Sequence, residues 1–579
     1  MTLQTDSQKR SGKFFWRLLL LSTLTVFATC YAGADPSPLN APGGDAGGGS
    51  PSARVSVLTY HNNNSRTGLN PSETILTPAN VNPKQFGKIG TLSVKGNVDA
   101  EPLYVSGLNI DGKDHNVIFV ATEEDMVYAF DADSDTQLWA SSALAKFPGE
   151  TPSDDRRCPQ VFPVLGITST PVIDLSAGPH GTIFVVAMSK DASGNYHQRL
   201  HALDLTTGAE RMAPREVQAT YPGKGTGSAG GIQTFNPASY EERAALLLSK
   251  GVIYTSWTSH CDFAPYSSWV MGYRESDLDQ LTVLNLIPNG TTQAGKEGGI
   301  WMAGDGPAAD RSGNIYLLVG NGTFDATLNS KGFPAEGDYG NSFVKLSTRG
   351  HKLAVADYFA MNNSAGTAES ESSKDTDLGS GGEMLLPDLK DGSGKVVQLE
   401  VGAGKDTNLY IVNRHGMGKY KPNDAGIYQE LLGALPGGVW SSPAYFDNTV
   451  YYDSVGHPMK AFPISNAKLA SSPSSQTTSF GYPSVTPSIS SDGTTNGIVW
   501  AVVAGPARGF RFTGKSTGAL YAFDATDLAK ELYDSNMAAG SRDAYTTDRT
   551  VKFITPLIAG GKVYVGTPNA VVVFGLLKQ

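Results

Sequence analysis

Between residues 100 and 574 one pattern recurs eight times: a strand carrying or following a Pro, a turn, a β-branched or aromatic strand, a second turn and a further strand. The fullest copy reads AEPLYV (100–105), NVIFVAT (116–122) and DMVYAFDADSDTQLWAS (125–141). Later copies include STPVID with TIFVVAM and RLHALDLTTGAE (169–210), GVIYTSW with WVMGY (251–273), and GNIYLLVGN with NSFVKLS (313–347). The series runs on through KVVQLEVGAGKDTNLYIVNR (395–414) and SSPAYFDNTVYYDS (441–454), then GIVWAVVAG with GALYAFDATD, and ends in TPLIAGGKVYVGTPNAVVVFGLL (555–577). Self-similarity at intervals of tens of residues signals stacked supersecondary units. Short strands without helical periodicity between them specify an all-β protein, an eight-bladed β-propeller. Seven blades is the alternative if one degenerate copy has been divided in two.

The last copy supplies three strands before the chain stops, whereas QFGKIGTLSV (85–94) has strand composition and no blade of its own. Pairing it with AVVVFGLL would close the ring with strands from both chain ends and remove an exposed sheet edge.

Lys9, Arg10, Lys13 and Arg17 precede an apolar run from Leu18 to Thr29 and the small-residue site Ala32-Gly33-Ala34. That run is too short to span a bilayer, and residues 1–34 read as a secretory signal peptide. The expected location is secreted or periplasmic, with a lipid anchor on Cys30 as the minor alternative. Residues 35–53, rich in Pro, Gly and Ser, read as a flexible linker, and 54–579 as one propeller domain. A net charge of −10 without a basic cluster disfavours nucleic acid and anionic membrane as partners. Of three cysteines, Cys158 and Cys261 remain after the signal. They are free to form a disulfide in an oxidising compartment or to stay as two thiols. The chain has no CxxC, CxxCH or HExxH, so strong zinc and haem signals are absent. GTGSAG (225–230) precedes no helix and GKSTG (514–518) runs into a strand, which sets aside nucleotide and hydrolase motifs.

Loops that lead into each blade's first strand share a face with those joining second to third strands. Trp301, Asn321, Asp375, Asp377, Lys405 and Trp440 all fall there, so an aromatic, polar-rimmed pocket is expected for a small molecule or a protein partner.

AFDADSDTQLW (129–139) resembles the blade-docking motif of the quinoprotein (pyrroloquinoline-quinone-dependent) alcohol dehydrogenases, in which a Trp ending one blade packs on the next. Residues 59–90 are similar to that family's N-terminal segment, and the likeness extends over residues 58–577. The resemblance implies pyrroloquinoline quinone (PQQ) and calcium as cofactors. Trp301 in GGIW would form the floor under the quinone ring, and Asn321 in VGNG would supply a calcium-ligand amide. Asp377 would be catalytic base and calcium ligand, Lys405 in GKDTN would contact the quinone, and Trp440 would be the sixth-blade Trp, with Val439 where the family has Asn. Calcium would then polarise a quinone carbonyl, Asp377 would take the alcohol proton and hydride would pass to the quinone. Three departures stand against this. The family's adjacent Cys-Cys pair is missing, its calcium-ligand Glu has no counterpart in 188–200, and no cytochrome is fused. Two functions therefore compete: a propeller that binds a ligand or partner at its mouth without redox chemistry, and a working PQQ- and calcium-dependent dehydrogenase of an alcohol or sugar.

Overall fold

The computed structural model describes residues 55–158, 160–291, 297–364, 375–504, 515–548 and 551–578. Residues 1–34, read above as a signal peptide, with Cys30 among them, and residues 35–53, read as a linker, lie outside the described residues. Eight antiparallel sheets follow one another along the chain as the blades of an all-β propeller. Their first strands are Leu103–Ile110, Val172–Asp174, Leu247–Ser249 and Ala308–Ala309 in blades 1–4. Glu383–Leu385, Ala444–Phe446, Ser488–Asp492 and Leu557–Ala559 begin blades 5–8.

The local chemistry of blade 1 shows why the chain turns where it does. Leu103–Ile110 and Lys113–Thr122 are joined by Asp111 and Gly112 with φ of 52° and 81°. Two consecutive positive φ values define the hairpin turn that suits strand twist, and Asp and Gly tolerate them. Second strands are covered on both faces by adjacent blades: eight of the nine residues of Thr182–Lys190 are buried. The strand Gln137–Ala140, at the rim, has no buried residue. Its Trp139 reaches blade 2, donating from Nε1 to the Leu205 carbonyl at 3.0 Å. The indole lies against Gly208, where a Cβ would come within 2.5 Å of the ring. Gly208 also has φ +68°, so both backbone conformation and space require glycine there.

Blade 8 holds strands from both ends of the domain. Phe86–Asn97 pairs antiparallel with Lys562–Leu576, with Phe86 opposite Leu576 and Ser93 opposite Ala570. The beginning of that same element pairs with Leu557–Ala559.

A second feature of the N-terminal segment has no strand signature. Residues 57–73 run past the first strands of all eight blades, hydrogen-bonding to each. Val57 exchanges backbone bonds with Tyr104, and the Leu58 carbonyl accepts from Ile173 N. Asn64 donates from Nδ2 to the Leu248 carbonyl and accepts at its own carbonyl from Ala309 N. The carbonyls of Ser65, Thr67 and Gly68 accept from Leu385, Tyr445 and Ile489, and Asn70 Nδ2 donates to Ile558 O at 3.0 Å. Arg66, fully buried, directs its guanidinium to the carbonyls of Tyr60, Leu246, Gly306 and Pro307 and to Thr59 Oγ1. Below it, Glu101 Oε2 accepts from His61 N at 2.8 Å, and Tyr60 Oη meets Ser442 Oγ and Thr555 Oγ1. Burial pushes the Glu101 and Asp305 carboxyls up to about 8 and about 7, against the pull of Arg66.

Candidate functional site

The loops leading into every blade line one cavity of about 300 Å³. Blades 1–4 contribute Asp99, Val161, the pair Glu241 and Arg243, and Trp301; blades 5–8 contribute Asp375 with Asp377, Trp440, Tyr482, and Lys552 with Phe553. Asn321 and Lys405 join them from loops that follow second strands. All six residues singled out on this face in the sequence, Trp301, Asn321, Asp375, Asp377, Lys405 and Trp440, thus share one space.

Blades 4 and 5 meet through glycines. A Cβ on Gly379 would lie 2.6 Å from Gly320 N, and one on Gly320 would lie 3.0 Å from Asp377 Oδ1. This close approach lets Asn321 N donate to Asp377 Oδ1 at 3.0 Å, while Trp301 Nε1 donates to Asp377 Oδ2 at 3.3 Å. Lys405 Nζ is 3.1 Å from Asp375 Oδ1 and 3.8 Å from Asp377 Oδ2, and it stands 5.6 Å from the centre of the Trp440 ring. Trp440 in turn packs edge-on against Tyr482. Burial raises the Asp377 carboxyl above the usual range; Lys405 opposes the shift and Asp375 adds to it.

Asn341, fully buried, sets the orientation of these groups. Leu378 N, which can only donate, bonds Asn341 Oδ1 at 3.0 Å. Asn341 Nδ2 therefore donates to Asn321 Oδ1 at 3.2 Å, leaving Asn321 Nδ2 to donate to Asp375 Oδ1 at 2.7 Å. The amide oxygen expected to ligate calcium is thus directed at Asn341, and the amide nitrogen at Asp375.

Phe553 meets the Trp301 indole edge-to-face at 5.5 Å. Arg243 and Lys552 each place their charge 5.9 Å from the Phe553 ring centre. Burial lowers the Lys552 ammonium to about 8, against Asp99 and Glu241. Glu241 Oε2 is 3.0 Å from His260 Nδ1.

Cys158 and Cys261 form a disulfide with Cα atoms 6.3 Å apart, and Cys261 lines the cavity. A disulfide therefore borders the site although no adjacent pair exists in the chain. The acidic residue sought in 188–200 is not on the wall: Asp191 caps its own turn by accepting from Ser193 and Asn195. Glu241 is there instead. Sequence reading also missed Arg243, Lys552 and Phe553, which lie in loops without a motif, and Asn341, which heads the repeat segment NSFVKLS. Runs of polar residues just before a first strand, such as YEER (240–243), were the available signal.

No family model matches the chain, and no curated protein matches it in sequence. Among solved structures it is similar to the quinohemoprotein alcohol dehydrogenase of Comamonas testosteroni, with 15% identity and a TM-score of 0.55 over 90% of this chain and 81% of that one. It is similar also to the quinohemoprotein alcohol dehydrogenase ADHIIG of Pseudomonas putida HK5, with 13% identity and a TM-score of 0.55 over 90% and 80% of the two chains. At these identities the likeness concerns architecture: the chain has the eight-bladed propeller fold of the quinoprotein alcohol dehydrogenases.

Proposed function

We propose that the cavity binds a planar, multiply oxygenated small molecule of the quinone class, of which PQQ is the type. The order of groups across the cavity carries this reading. Lys405 adjoins Asp377, Asp377 accepts from the Trp301 indole, and the indole meets Phe553, beside which Arg243 and Lys552 place their charges. A flat ring gains contact with the aromatic groups, while anionic substituents at its two ends meet an ammonium and a guanidinium. The glycine contacts of Gly320 and Gly379 keep the wall free of side chains beside Asp377. These features fit the quinone. They do not fit calcium, because the Asn321 oxygen is turned to Asn341 and the Lys405 ammonium adjoins both carboxylates.

A second reading, oxidation of an alcohol or sugar, is favoured by Asp377. Its carboxyl is buried, raised in pKa and adjacent to the indole, which suits a general base. A bound quinone would supply the electrophilic carbon that accepts hydride. In that role Asp377 would take the hydroxyl proton of the substrate, with Lys405 placed to stabilise the charge formed. The leader read in residues 1–34 and the Cys158–Cys261 bond both accord with a secreted or periplasmic protein. Among the described residues no helix is long and apolar enough to cross a membrane.

Titration of the mature protein with PQQ, followed by tryptophan fluorescence, tests the first reading. Saturable quenching in the micromolar range, weakened at least tenfold by Trp301→Ala, is expected; no saturation would reject it. Dye reduction across an alcohol and sugar panel, lost in Asp377→Asn while PQQ still binds, would establish the second reading.

A further inference from the structure

The geometry points to a metal-independent site, in which the Lys405 ammonium occupies the electrostatic position that a divalent cation would take and itself meets the ligand's oxygen. The identity of that ligand rests on the reading above; the exclusion of the cation does not.

Three observations carry the inference. First, Nζ lies 3.1 Å from Asp375 Oδ1 and 3.8 Å from Asp377 Oδ2, so one fixed positive charge already serves both carboxylates. A calcium ion bound to Asp377 Oδ2 at about 2.4 Å would stand within about 6 Å of that ammonium, and like charges at that range disfavour each other in a buried site. Second, the neutral donor is turned away. The Leu378 N–H fixes Asn341, Asn341 fixes Asn321, and Asn321 presents its NH₂ to Asp375. An amide nitrogen is not a ligand for a hard cation. Third, among the described residues the three-membered group with ligand atoms within 4.8 Å of one another is Cys158, His260 and Cys261. Its two sulfurs are joined to each other. Asp375, Asp377 and Glu241 form no such group.

The arrangement is also suited to hold Lys405 in place. Its ammonium faces Trp440, whose ring attracts a cation, and its stem is largely buried, with 17% of the side chain exposed.

Calcium binding to the full mature chain can be followed by calorimetry, with Tb³⁺ luminescence sensitised by Trp301 and Trp440 as a second readout. The wild type is expected to show no calcium site tighter than millimolar that responds to Asp377→Asn. Lys405→Met, which removes the charge and keeps the stem, is expected to gain a site at least tenfold tighter, lost again in Lys405→Met/Asp377→Asn. Lys405→Arg is expected to behave as wild type, which separates charge from packing. PQQ affinity should agree within twofold in calcium and in chelator. A wild-type site weakened tenfold by Asp377→Asn would overturn the inference, as would a folded Lys405→Met protein with no gain. Absence of PQQ binding in both buffers would reject the ligand reading alone.

Discussion

Arg66 and Lys405 are both cations inside the ring, yet they are held in opposite ways. Arg66 gives its donors to backbone carbonyls from blades 3 and 4 and from its own segment, and to Thr59 Oγ1, with no carboxylate among its hydrogen-bond partners in the described residues. Lys405 faces two carboxylates and an indole at the wall of an open cavity. A buried charge committed to fixed carbonyls specifies shape, because its acceptors cannot be re-used without breaking the backbone network. A charge beside side-chain acids at a cavity wall remains exchangeable for a ligand. The two positions therefore separate the part of the channel that builds the protein from the part that works on something else.

The sharpest way to break that distinction is to remove each charge in turn. Arg66→Met should cost about 3–5 kcal/mol in chemical denaturation, since it strands several buried carbonyls around an apolar stem. Lys405→Met should cost less than about 1 kcal/mol and lower ligand affinity instead. Equal losses of stability would erase the difference. The next effect concerns the bond that ties the cavity wall. Replacing Cys158 and Cys261 by Ser opens a link spanning 103 residues and should cost about 2–4 kcal/mol. It should also loosen the ligand site more than Arg66→Lys does.

Smaller, and diagnostic of both regions at once, is the response to pH. Glu101 and Asp305 in the channel are raised to about 8 and about 7, so between their unfolded values and these the native state holds more protons than the unfolded chain. Stability falls as pH rises across that window. Lys552 at the cavity is lowered to about 8, so above that pH the unfolded chain holds more protons and stability recovers towards pH 10.5. In denaturation profiles Glu101→Gln should flatten the falling limb and Lys552→Met the rising one, and a profile unchanged by either would show that other groups govern it. Binding of an anionic ligand should weaken on passing above pH 8 as Lys552 loses its charge.

The two regions were also unequally legible in the sequence. Blade strands announce themselves because apolar residues fill both faces of a second strand, and turns such as Asp111-Gly112 need particular residue types. Trp301, Asn321, Asp377 and Lys405 could be placed because each sits in a loop just before or just after such a strand. The pairing of Phe86–Asn97 with the last element followed from counting strands. The path of residues 57–73 could not be read, because its partners lie in eight different sheets and its own backbone has no period. Only YHNNNSRTG hinted at it, a polar run in which His61, Asn62 and Arg66 take positive φ. The orientation of Asn321 was equally hidden, being decided by Asn341, a residue twenty positions away whose own direction depends on a third loop.

The route of residues 57–73 has a consequence for how the molecule comes into being. These residues leave the ribosome before any blade, yet their last acceptor, in Leu557–Ala559, is made nearly five hundred residues later. A nascent chain stopped after seven blades would carry an opening stretch with seven-eighths of its berth, and a pairing strand at 86–97 still waiting for its mate. Vectorial synthesis can prepare the blades one by one, but the final lock must wait for Leu557–Ala559 and Lys562–Leu576.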